Sequence, residues 1–130
     1  MLGAEFRGFG DNHAQGFRWV QYRFPAGGRI ELVTPIGDGF VSRFLARRGE
    51  GVHHVTLRVK DLPEQVKRLE ARGIDLVMVS ADDPHWREAF IHPKNAHGVL
   101  IQIAESMHDE ADHERHFRAI LPAAVELGLA

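Results

Sequence analysis

The stretch GVHHVTLRV, Gly51 to Val59, decides how this chain folds. Its strict alternation puts His54, Thr56 and Arg58 on one face of a strand and Val55, Leu57 and Val59 on the other, with His53 facing away from His54. Such a strand offers an imidazole to a polar cleft while its aliphatic side chains meet a core. Two further runs repeat the arrangement. VLIQIA, Val99 to Ala104, carries Val99, Ile101 and Ile103 on one face and a lone amide, Gln102, on the other; RIELV, Arg29 to Val33, carries Glu31. Three strands, each apolar apart from one ligand-type side chain, predict a sheet that builds a small-molecule site or a metal site.

The rest of the chain frames these strands. Met1 to Gln15 is Gly-rich, and MLGAEF reads as the end of a helix capped by Gly3 ahead of an extended segment. Trp19, Val20, Tyr22 and Phe24 predict a strand from Gly16 to Phe24, and the turn residues Pro25, Gly27 and Gly28 return it as a hairpin through Arg29 to Val33, which Pro35 ends. Phe40 to Arg47 has helical spacing. Asp61 is placed to cap a helix from Pro63 to Arg72, with Gly73 just past its end and Leu62, Val66 and Leu69 as its buried stripe. Strands follow at Ile74 to Ser80, Arg87 to His92 and Val99 to Ala104, with Trp86 in the loop before the second and PKNAHG as the turn before the third. A last helix from Met107 to Leu127 carries Pro122, which predicts a kink. From Val52 onward the order is β-α-β-β-β.

Composition narrows the function. The length of 130 residues fits one compact domain. With 16 basic and 18 acidic residues and no basic run, nucleic acid is not an expected partner. The absence of cysteine excludes disulfides, thiolate catalysis and Cys-type zinc sites. No apolar run approaches the roughly 20 residues of a membrane span, and the first residues lack signal-peptide order, so a cytoplasmic protein is expected.

The segments GEGVHHVTLRVKDL, the helix running to ARGI, and AFIHPKNAHGVLIQIAE resemble the second βαβββ module of the vicinal oxygen chelate superfamily, and within it the methylmalonyl-CoA epimerase family. RIELVTPIGDGFVSRFLARRGEG is similar to the stretch that links the two modules there. This resemblance implies an α+β fold of paired βαβββ modules. Residues 1–35 would form a first module lacking its opening strand and helix, residues 36–50 a linker and residues 51–105 the second module, with a helical extension over 106–130. It also implies a divalent first-row metal ion (Co, Ni, Mn, Fe or Zn) held by Glu31, His54 and Gln102, the last standing where glutamate is usual. The fourth ligand, a histidine on the first strand, has no counterpart.

The activity implied is that of a glyoxalase-like, metal-dependent lyase or isomerase acting on a small 2-oxo or acyl-thioester substrate. It would not be methylmalonyl-CoA epimerisation itself, because an amide carries no proton and the family's other carboxylate falls on Trp19. No catalytic residue is therefore assigned. Trp19, Thr56, Trp86 and Lys94 are the expected substrate contacts, Lys94 as an anion contact and the indoles, with Tyr22, as aromatic walls. The rival reading is a metal-free cleft that sequesters a small organic ligand, as resistance members of the superfamily do. A sheet edge left open by the missing strand predicts a homodimer.

Overall fold

The computed structural model describes residues 2–83, 85–106 and 110–129. In chain order its elements are β1 (Glu5–Asn12), β2 (Phe17–Arg23), β3 (Arg29–Pro35), α1 (Phe40–Arg48), β4 (His54–Arg58), α2 (Leu62–Glu70), β5 (Leu76–Ser80), β6 (Trp86–Ile91), β7 (Leu100–Ser106) and α3 (Glu110–Glu126). They fall into two compact units, one of residues 1–50 with 109–130 and one of residues 51–108.

The second unit is the βαβββ module expected from Val52 onward. Its strands are ordered β4-β7-β6-β5, with β4 parallel to β7 and the other pairs antiparallel. A parallel pair needs a long return path, and α2 begins that path. Asp61 starts the helix as the sequence predicts: its carboxylate accepts the Glu64 N–H at 3.1 Å, and Pro63 sits in the first turn. Glu105, at the end of β7, accepts the N–H groups of Asp61 and Leu62 at 3.0 and 3.1 Å. Two of the donors that a helix start leaves orphaned are thus tied to the sheet. Leu62 is 0% exposed and packs on Ala89 and Ile103, with Val59, Val66 and Leu69 around it. Burying that leucine contributes about 2–3 kcal/mol. The helix ends at Glu70, short of the expected Arg72, and Gly73 just past it has a φ of +72° that suits a residue without Cβ.

The other unit is an antiparallel sheet ordered β1-β2-β3. Here the structure corrects the sequence reading: Leu2–Ala4 are irregular and Glu5–Asn12 is a strand, so MLGAEF is not the end of a helix. Glycines hid that strand. A Cβ on Gly10 would sit 2.9 Å from the indole of Trp19, its partner on β2, so a side chain there would have to displace the indole. The C-terminal helix α3 packs against β1: Phe117 meets Phe6 at 5.9 Å between ring centres, and Arg7 pairs with Glu114 at 3.9 Å. The Tyr22 hydroxyl donates to the Leu129 carbonyl at 2.9 Å. α3 runs unbroken through Pro122, and Ala124 is fully buried. Of the expected helix start, Met107, His108 and Asp109 lie outside the described residues. Trp86, expected in a loop, opens β6.

Candidate functional site

α2 packs on one face of the β4-β7-β6-β5 sheet over β5, β6 and β7, whereas Val55 and Leu57 of β4, expected to meet a core, stay exposed. Alternation and register define the other. Thr56 on β4 lies opposite Gln102 on β7, with His54 opposite Leu100, and on β6 Phe90 and Glu88 lie opposite Gln102 and Ala104. The apolar partners Ala89 and Ile103 point the other way, into the α2 core. His54, Thr56, Gln102, Glu88 and Trp86 therefore share the polar face.

Gln102 is its centre and is only 8% exposed. A buried amide must satisfy both ends, and this one does. Its Nε2 donates to Glu88 Oε2 at 2.6 Å, while its Oε1 accepts the Thr56 hydroxyl at 2.5 Å. The same Glu88 oxygen accepts the Trp86 indole N–H at 2.8 Å. Because a carboxylate only accepts, it is Glu88 that decides which end of the amide faces which strand. Glu88 was not singled out from sequence; its only signal there is a charge, next to that of Arg87, on a short strand.

His54 presents an imidazole from the adjacent strand, edge-on to Phe90 at 6.2 Å between ring centres. Its Nδ1 lies 3.1 Å from the Nδ1 of His53. The strand begins at His54, so alternation does not turn His53 away as the sequence reading had it. Burial, and secondarily the charge of His54, push the His53 pKa below its ordinary value, which favours a neutral ring with a bare nitrogen. In the tautomer where His54 Nδ1–H donates to that nitrogen, His54 Nε2 keeps a free lone pair.

The remaining expected residues are placed as follows. Glu31, in the other unit, accepts from Gln21 Nε2 at 2.6 Å. Trp19 lies over Gly8 and Gly10 on the β1–β2 pair. Lys94 sits in a short 3-10 turn after His92 and forms an ion pair with Asp75. Among the described residues no three His, Cys, Asp or Glu side chains cluster as a metal site. The second unit offers a smaller donor set, an imidazole nitrogen and an amide oxygen on neighbouring strands, and that chemistry suits a borderline first-row divalent ion.

The family model described as the Glyoxalase/Bleomycin resistance protein/Dioxygenase superfamily matches residues 1–90. The chain belongs to this superfamily. A solved methylmalonyl-CoA epimerase from Mycobacterium tuberculosis is 32% identical with a TM-score of 0.75, over 85% of this chain and 76% of that one. A Streptomyces coelicolor methylmalonyl-CoA epimerase, solved in complex with 2-nitronate-propionyl-CoA, is 28% identical with a TM-score of 0.72, over 83% of each chain. The mitochondrial methylmalonyl-CoA epimerase of Dictyostelium discoideum is 34% identical over 86 residues, 59% of this chain and 49% of that one. The chain spans about half the length of the curated epimerases it matches. The α+β fold expected from the sequence agrees with these relatives.

Proposed function

We propose that this protein is a cytoplasmic, glyoxalase-like lyase or isomerase that uses a divalent first-row metal ion on a small 2-oxo or acyl-thioester substrate, and that it does not epimerise methylmalonyl-CoA. The observation that carries the reading is the His54–Gln102 donor pair on the polar face of the module, in a chain of this superfamily. His54 would bind through Nε2 and Gln102 through Oε1. Glu31 lies in the other unit and enters as third ligand through the family resemblance alone. When bound, such an ion polarises the oxygens of a 2-oxo or thioester group.

The chain's own residues do the rest. Glu88 sets the orientation of the Gln102 amide, and Thr56 bonds its oxygen. Gln102 keeps its protons at every working pH, so it neither takes nor returns one, and this sets the proposed reaction apart from epimerisation. Trp86, a residue 37% exposed, would offer a surface to substrate, and Trp19 a wall in the other unit. Lys94 would trade its Asp75 partner for an anionic group of the ligand.

The test is the metal content of protein purified without chelators or a His-tag. We expect about one equivalent of a first-row divalent metal, lost in His54→Ala. A second reading has its own support: Gln102, Thr56 and Trp86 are satisfied without any ion, which suits a metal-free binder. Absence of metal from both proteins would select it. We also propose a homodimer through β3. That strand pairs only with β2 among the described residues, and Ile30 and Leu32 on it are 45% and 54% exposed. A monomer in sedimentation at high concentration would end that part of the proposal.

A further inference from the structure

We infer that Glu88 is a positioning residue for this site: it locks the Gln102 amide with its oxygen toward β4, so that a cation held beside His54 meets an oxygen and not an NH2 group. This rests on the functional reading above for the identity of the ligand, and on the geometry alone for the lock.

An amide is ambiguous where a carboxylate is not. A carboxylate presents oxygen in both directions, whereas a glutamine presents oxygen in one and two N–H donors in the other. Gln102 has apolar chain-mates on its own face, Leu100 and Ala104, and the aromatic Phe90 as its partner across β6. Those neighbours do not choose between the two orientations. Thr56 does not choose either, because a hydroxyl both donates and accepts. Glu88 does. Turned the other way, the amide would bring its Oε1 to the place 2.6 Å from Glu88 Oε2 where Nε2 now sits, two acceptors with no proton between them.

Glu88 is itself held. The Trp86 indole donates to the same oxygen at 2.8 Å, from two residues earlier on the strand. The reach also fits the side chain. Glu88 is opposite Ala104, so it meets Gln102 on the diagonal, a span that suits a glutamate better than an aspartate. Its negative charge polarises the amide as well, drawing on the N–H and enriching the oxygen. The amide thereby regains part of the donor strength that a carboxylate at this position would have supplied.

The experiment has two arms on the intact chain. In metal-free protein, the side-chain NH2 resonance of Gln102, assigned by its loss in Gln102→Ala, is followed by proton–nitrogen correlation NMR. One proton bound to a carboxylate is expected well downfield in the wild type, and back at the ordinary position in Glu88→Gln. In the second arm, Co2+ affinity is measured by calorimetry. Glu88→Gln is expected to weaken it by about 10–100-fold, the usual effect of removing a residue that orients a ligand. If Glu88→Gln does not fold, Glu88→Asp keeps the charge, shortens the reach and carries the same prediction. An ordinary Gln102 resonance in the wild type overturns the lock. So does Co2+ affinity in a folded Glu88 variant equal to that of the wild type. A wild type that binds no Co2+ overturns the metal reading instead, and the NMR arm then decides the role of Glu88 by itself.

Discussion

In the three-stranded sheet Gln21 on β2 donates to Glu31 on β3 at 2.6 Å; in the four-stranded sheet Gln102 on β7 donates to Glu88 on β6 at the same distance. β3 and β7 are each the last strand of their sheet in chain order, and β2 and β6 each lie beside them. The two sheets thus carry an amide–carboxylate pair with the charge exchanged: on the last strand in one, on the strand before it in the other. The difference teaches that the identity of the last-strand residue and the presence of a carboxylate are separable. A sheet can give its last strand a neutral amide and still place a carboxylate within hydrogen-bonding reach.

The sheets differ also in what covers them. The four-stranded sheet carries α2, a helix from within its own βαβββ run, over β5, β6 and β7, whereas the three-stranded sheet receives α3 from the other end of the chain. Leu62 tests that contrast most severely. As a fully buried leucine between helix and sheet, it should cost about 2–5 kcal/mol as Leu62→Ala in urea unfolding. A cost below about 1 kcal/mol would mean that α2 is not the anchor described. On the other sheet the tight spot is between strands. Gly10→Ala drives a methyl into the Trp19 indole and should cost about 1–3 kcal/mol, with a shift in tryptophan fluorescence as its signature.

The exchanged charge itself can be exchanged back. Gln102→Glu alone sets two carboxylates against each other and should lower stability. Combined with Glu88→Gln it re-forms an amide–carboxylate pair, now in the order seen at Gln21 and Glu31. We expect the double variant to fold and to bind Co2+ about tenfold tighter than the wild type, because an anionic ligand replaces a neutral one. Equal affinity would show that Gln102 is not a ligand.

These contrasts divide what the sequence shows from what it hides. The β4-α2-β5-β6-β7 run was legible because its signals are local: alternation from His54 to Arg58, a capping Asp61, and Gly73 past the helix end. β1 was not, since its alternation is broken by Gly8 and Gly10, and the reason for Gly10 is an indole on another strand. Gln102 stood out as a lone amide among aliphatics. Glu88 did not, because a charge on a six-residue strand reads as solvent-facing until the register puts it diagonal to Gln102. The packing of α3 on β1 depends on contacts more than a hundred residues apart, such as Tyr22 with Leu129, and no local pattern carries those.

The smallest expected effect concerns how each unit uses a carboxylate to tie its elements together. In the four-stranded unit Glu105 does so by accepting backbone N–H groups at the start of α2. In the three-stranded unit Asp11 does so by pairing with a side chain, taking two bonds from Arg18 across the β1–β2 hairpin at 2.6 and 2.8 Å. The hydrogen bonds to Arg18 hold the Asp11 carboxyl below the ordinary value of 3.8 against the opposing effect of burial, and the charges of Arg18 and His13 add to the lowering. A depressed carboxyl pKa means that the unfolded chain binds the proton first as pH falls. The contribution of the pair is therefore complete above 3.8 and is lost as pH drops through the lower, folded value. Asp11→Asn should thus be slightly less stable than the wild type near neutral pH, and the gap should close in acid. The pair lies at the surface, so ~1 M salt should shrink the gap as well. A gap that persists in acid would mean that Asp11 ties the hairpin by its shape and hydrogen bonds, not by its charge.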